Sequence, residues 1–249
     1  IFGYIKYNGF QDVAGGGHFS GRLTAPLCVA GNICMQYLEQ KGIKIGAHIF
    51  KLGGIEDDRF DLANVDELDI DSLLNKDFPI INDDKFEEMK TRIEDVKADL
   101  NSVGGVIECA VIGLPIGLGD PMFDGMENKI ASIAFGVPAV KGIEFGNGFE
   151  AADITAKENN DEYYMDGNRI KTKTNNHGGI LGGITSGMPL VFRVAIKPTP
   201  SIASEQNSIS LLNKENTKLV IEGRHDPCIV PRAVPVIEAI AAIAICDAM

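Results

Sequence analysis

The chain has 249 residues, a formal net charge of −12 and no tryptophan. That length can bury a sizeable core in one large domain or two small ones, and the acidic balance argues against general binding to nucleic acid or to an anionic membrane. An anionic small molecule is not excluded, because it feels nearby arginines and lysines more than a distant sum of charge. Five scattered cysteines (Cys28, Cys34, Cys109, Cys228, Cys246) without C-x-x-C spacing argue against a disulfide framework or a zinc site, and they fit a reducing cytoplasm. The four histidines show no metal-ligand spacing either. The most apolar run, Ala233 to Cys246, contains Glu238 and is too short to span a bilayer.

In chain order, the opening residues lead through Gly15, Gly16 and Gly17 into a helix predicted from Ser20 to Gln40. Leu23, Leu27, Ala30, Cys34, Tyr37 and Leu38 form its apolar stripe, Ser20 is its N-cap and Gly42 its stop. A glycine loop feeding a helix N-terminus gathers free N–H groups and a positive dipole end, which suits an anion, and Arg22 adds a full charge. Taken alone, Arg22 reads as a solvated helix residue. Ile43 to Lys51 alternates as a half-buried strand and puts His48 on the outer, surface side. Residues 53–82 are acidic and irregular and read as a surface excursion with a short helix near 69–74.

A second amphipathic helix starts at Asp83 or Asp84, where Asp84 and Glu87 resemble a capping box. Phe86, Met89, Ile93, Val96 and Leu100 face inward, and its charges, Lys97 among them, read as a solvated face. A strand follows over 106–114, a helix over 120–135 and a strand over 138–145. Residues 150–174 read as a polar, mobile loop. The chain closes on a nearly all-apolar, buried helix from Val234 to Asp247. Strands and helices in mixed order make the class α+β.

Two stretches carry the chemistry. Residues 175–201, NNHGGILGGITSGMPLVFRVAIKPTPS, join a glycine-rich loop to one apolar strand, Leu190 to Ile196. Gly178, Gly179, Gly182 and Gly183 let the backbone approach a ligand closely. Pro198 and Pro200 end the ladder, so the strand delivers Lys197, Thr199 and Ser201 to one sheet edge. Such donors suit a phosphate or a flavin ring; the alternative is an ordinary strand with a proline-rich exit. The second stretch, GRHDPC at 223–228, follows a short strand over 218–221. On its own it reads as an Arg224–Asp226 pair rigidifying a turn.

Read together with GGGHFSGR (15–22), FDGMENKIASIAFGVPAVKGIEFGNGF (123–149) and GRHDPCIVPRAVPVIEA (223–239), these motifs make the chain resemble the chorismate synthases. The resemblance implies a β-α-β sandwich, with helices packed between antiparallel sheets, assembled as a homotetramer. It further implies that this is an internal fragment lacking roughly the first hundred residues of the family, including its two acid histidines, and inactive alone. The implied reaction is an anti-1,4-elimination of phosphate from 5-enolpyruvylshikimate 3-phosphate, giving chorismate. The implied cofactor is reduced FMN, with NADPH as a candidate reductant.

Residue by residue, the resemblance puts His18, Phe19, Ser20, Pro138, Ala139, Gly182, Lys197, Pro198, Thr199, Pro200, Ser201 and Arg224 at the flavin. It puts Ser20, Arg22 and Arg224 at the substrate, and makes Asp226 the general base. Two departures stand out. Val13-Ala14 replaces a Tyr-Arg pair, and Pro138 replaces an asparagine, so any contact at Pro138-Ala139 must come from backbone or packing. A non-catalytic module that binds flavin or another anion is the alternative reading, as is a generic nucleotide-binding α+β protein.

Overall fold

The computed structural model describes residues 1–12, 14–223 and 225–249. Helix α1 (Phe2–Lys6) and two short 3-10 turns lead into α2 (Thr24–Glu39) and the strands β1 (Lys44–Leu52) and β2 (Ile55–Glu56). Then come α3 (Glu67–Leu74), α4 (Phe86–Ala98), β3 (Gly105–Ile112), α5 (Met126–Ala134) and β4 (Val140–Phe145). Helix α6 (Ala156–Asn159) precedes two hairpins, β5 (Tyr163–Asp166) with β6 (Arg169–Thr172), and β7 (Ile180–Leu181) with β8 (Ile184–Thr185). The chain ends through β9 (Leu190–Ile196), the hairpin β10 (Gln206–Ser210) and β11 (Glu215–Leu219), and α7 (Val230–Ala248).

One antiparallel sheet, ordered β2-β1-β3-β9-β4, organises the molecule. Side chains alternate across a strand, so each strand of this sheet serves two faces. On the first face Ile45, Ile49, Ile107, Cys109, Val111, Phe192, Val194 and Ile196 form the main core with α5 and α7. Helix α7 is apolar nearly all round because it lies between the sheet and α2, with α5 beside it. The approach of α2 to α7 is close: a Cβ on Gly31 would overlap Ala239. The outward side of α2 leaves Val29, Ile33 and Tyr37 exposed.

The second face is different. It carries a row of charges in register across four strands, with His48 opposite Glu108, Glu108 opposite Arg193 and Arg193 opposite Glu144. His48 is fully buried, and its Nδ1 and Nε2 meet Asp57 Oδ2 (3.2 Å) and Glu108 Oε2 (3.0 Å). Asp57 also accepts the N–H groups of Ile81 and Asn82, and Glu108 accepts that of Phe60. Arg193 pairs with Glu144 at 2.8 Å and donates to the Gly146 carbonyl. A small apolar cluster of Phe60, Val65, Ile70, Leu73, Ala110 and Val191 packs beside this row.

The α+β class and the strand over 190–196 agree with the sequence. His48 does not lie on the surface, because residues 53–82 are not a surface excursion. They fold back over the second face and bury it, with Asp66 capping α3 through a reciprocal box with Asp69. The predicted box at Asp84 is also absent; Asn82 caps a 3-10 turn at 83–85 that runs into α4. Within 150–174, where a loop was expected, the polar run closes as the hairpin β5–β6. Exposed on most of its surface, that hairpin has no apolar alternation by which sequence could reveal it.

Candidate functional site

The segment after β9 and the segment before α7 are tied to one short stretch, Ser102-Val103. Ser102 Oγ donates to the Thr199 carbonyl (2.7 Å), and the Val103 N–H donates to the Pro227 carbonyl (2.9 Å). Val103 also makes a parallel bridge with Cys228. The proline-rich exit cannot continue the ladder, so these bonds fix where its hydroxyls go. Against them lies the entry to α2, where Ser20 Oγ accepts the Arg22 N–H and starts a 3-10 turn over 21–23.

These segments enclose a cavity of about 920 Å³. Of the sequence-predicted residues, Ser20, Arg22, Pro138, Thr199, Ser201 and Asp226 line it, drawn from four separate parts of the chain. Thr199 Oγ1 is buried there without a hydrogen-bond partner, which leaves a hydroxyl available to a ligand. Asp226 Oδ1 accepts the Cys228 N–H (3.3 Å), and its other oxygen pairs with the guanidinium of Arg232 in the first turn of α7. Among the described lining residues, Arg22, Lys97 and Arg232 face a single carboxylate, Asp226. A cation excess beside a helix N-terminus favours an anion, although the whole chain is acidic.

Other predicted residues lie elsewhere. Lys197 Nζ hydrogen-bonds the neighbouring Pro198 carbonyl (3.2 Å), and neither Lys197, Pro198 nor Pro200 lines the cavity. Ala139, adjacent to the lining Pro138, gives its carbonyl to the Lys197 N–H (2.9 Å). His18 and the largely exposed Phe19 sit on the 3-10 turn ahead of Ser20 and do not line the cavity. Gly182 lies in the β7–β8 turn, and none of the four loop glycines reaches the cavity. Gly178, Gly179 and Gly183 each lie against backbone, Gly183 against the Asp120 carbonyl, and the Gly183 carbonyl accepts the Met126 N–H that opens α5; Gly182 has open space beside it. Arg224 and Val13 lie outside the described residues.

Three titratable lining residues were missed by sequence. Lys97 reads as one charge among many on α4, yet the helix end places it at the cavity. Arg232 and His225 flank Asp226 within motifs that had been noted, without a spacing that would single them out. A second cavity, about 850 Å³, lies between β6 and the ends of β3, but Lys171 and Lys173 there are paired with Asp166 and Glu162. Among the described residues no group of three or more His, Cys, Asp or Glu side chains could hold a metal ion, and no helix is long and apolar enough to cross a membrane.

A cation-lined cavity at the meeting of an antiparallel sheet and its helical layer defines an α+β protein with a cavity whose charge suits an anion. Comparison with known proteins narrows this. A family model for chorismate synthase matches residues 1–249, and the chain belongs to the chorismate synthase family. It is 42% identical over 243 residues to a chorismate synthase of Korarchaeum cryptofilum and 43% identical over 244 residues to one of Pyrococcus abyssi. In both cases the match covers 98% of this chain, which spans 66% of the relative's length. A crystal structure of chorismate synthase superposes with a TM-score of 0.82 at 33% identity, covering 99% of this chain and 69% of that one.

Proposed function

We propose that the protein carrying this chain is a lyase that eliminates phosphate from 5-enolpyruvylshikimate 3-phosphate to form chorismate, with reduced FMN bound beside the substrate. The observation that carries this reading is the convergence of four family-matched segments on one cation-lined cavity. In the reaction the bond between a ring carbon and the phosphate oxygen breaks, and a ring hydrogen leaves from the opposite face. The departing phosphate needs fixed positive charge. Arg22 and Lys97 offer it, each charged hydrogen bond contributing roughly 1.5–3 kcal/mol.

The residues also fit a flavin. Thr199 offers an orphan hydroxyl, Ser201 a second one, and Pro138 a flat apolar wall. When bound, a reduced flavin supplies electron density as the phosphate departs and recovers it as the hydrogen leaves. Asp226 is the group we assign to proton movement, because it is the single carboxylate among the described lining residues. Arg224, matched by the family motif, belongs to the same proposal. Homotetrameric assembly and reduction of the flavin by NADPH belong to it as well and rest on the family resemblance alone; a cytoplasmic location also belongs to it and is supported by the scattered cysteines.

The test is an anaerobic assay of the complete protein with 5-enolpyruvylshikimate 3-phosphate. Chorismate and phosphate should form together, and only with reduced FMN present. Formation at an equal rate without flavin would overturn the reading.

A further inference from the structure

His225 also lines the cavity, and its ring is already held at one end. Its Nε2 lies 2.8 Å from the Ile221 carbonyl oxygen. A carbonyl oxygen can only accept, so Nε2 carries the hydrogen. In the neutral ring Nδ1 is then an acceptor. No described group hydrogen-bonds to it, and Nδ1 is not among the buried unpartnered atoms, so it is open to a ligand.

Its surroundings are rich in donors. Arg22 before α2, Lys97 on α4 and Arg232 on α7 are cations; Thr199 and Ser201 carry hydroxyls. The one carboxylate, Asp226, is engaged by Arg232 and the Cys228 N–H. A phosphate or carboxylate satisfies all of those donors and leaves Nδ1 without a partner. What Nδ1 needs is a donor, and a hydroxyl on the same ligand supplies one. We propose that His225 Nδ1 accepts a hydrogen bond from a ring hydroxyl of the bound phosphate ester, and so selects a hydroxyl-bearing ester over one that lacks it. The inference rests on the cavity being the substrate site, as proposed above. A site built to bond a hydroxyl rejects the analogue without it, because the bound ligand covers the acceptor and leaves it unpaired.

Two isosteres separate this role from a structural one. His225→Gln places an amide N–H where Nε2 was, which keeps the tie to Ile221 and removes the Nδ1 acceptor. His225→Asn places an amide oxygen where Nδ1 was and loses the tie. The measurement is calorimetric titration of the complete protein, at pH 8, with 5-enolpyruvylshikimate 3-phosphate and with its analogue lacking the ring hydroxyl. The wild type should prefer the substrate by about tenfold or more. His225→Gln should keep the wild-type melting temperature and lose that preference; His225→Asn should keep the preference and melt lower. If His225→Gln discriminates as the wild type does, His225 is only a structural tie and the inference fails. If the wild type does not bind the substrate at all, the proposed function fails and the inference falls with it.

Discussion

Glu108 on β3 and His48 on β1 face each other in register, fully buried, with Oε2 3.0 Å from Nε2. Asp57 holds the other ring nitrogen, so one imidazole sits between two carboxylates. Burial pulls the ring toward its neutral form, but the hydrogen bonds to Asp57 and Glu108 outweigh it and raise its proton affinity above the ordinary value of 6.5. Asp57 is correspondingly held low: burial pushes it up, but His48 and the N–H groups of Ile81 and Asn82 win.

The consequence for stability follows from linkage. A raised histidine contributes stability that is fully present below 6.5 and is lost as pH rises through its folded value. His48→Leu leaves two buried carboxylates without their cation. It should destabilise by about 3–5 kcal/mol near pH 6, with a smaller loss at pH 9, read from urea unfolding. A loss below about 1 kcal/mol at pH 6 would show that the row of charges contributes little.

Glu238 sits in the apolar body of α7 and accepts the Ala47 N–H of β1 at 3.0 Å. Burial pushes its carboxyl up to about 7, against the opposing pull of that N–H. The native state therefore binds a proton more tightly than the unfolded chain, and stability from this group falls as pH rises from 4.5 to about 7. Glu238→Gln keeps an acceptor for Ala47 and cannot ionise. Near pH 5 it should match the wild type, and at pH 8 it should be more stable by an amount on the order of 3 kcal/mol. Parallel stability curves for the two proteins from pH 5 to 8 would count against it.

The packing of α2 on α7 depends on Gly31, where a side chain would overlap Ala239. Gly31→Leu should force the helices apart and cost about 1–3 kcal/mol. Urea denaturation of the variant checks this. The double variant with Ala239→Gly should recover part of the loss, since it removes the methyl group first met. A fully stable Gly31→Leu protein would mean that α2 is held less tightly than the geometry indicates.

In the cavity, Asp226 and Arg232 test the assigned chemistry together. Asp226→Asn keeps shape and removes the base, so kcat of the complete protein should fall roughly 10²–10⁴-fold with little change in KM. Arg232→Met removes the group that pairs with the carboxylate and orients it, so kcat should fall here as well, by less than in Asp226→Asn. Near-normal kcat in Asp226→Asn with a collapse of flavin affinity would make the carboxylate a structural partner of Arg232. An unchanged kcat in Arg232→Met would mean the arginine does not govern Asp226.

Local pattern determined much of this chain. Leu190 to Ile196 reads as a strand because its apolar residues alternate and prolines stop it, and the structure ends it at the same residue. The family motifs were legible because their glycines, prolines and charges stand at fixed spacings along the chain. Ser20, Arg22, Thr199, Ser201 and Asp226 could therefore be named before any fold was known, and they meet at one cavity. Tertiary structure alone decided what comes from contacts between distant segments. His48 looked like a surface residue because sequence shows only the alternation of its own strand, not that residues 53–82 fold over it and supply Asp57. Lys97 looked like a solvated charge because helical periodicity gives its face and not what lies at the helix end. Gly178, Gly179 and Gly183 read as a ligand cradle and lie against backbone, since a close approach has the same sequence signature whether the partner is a ligand or another stretch of chain.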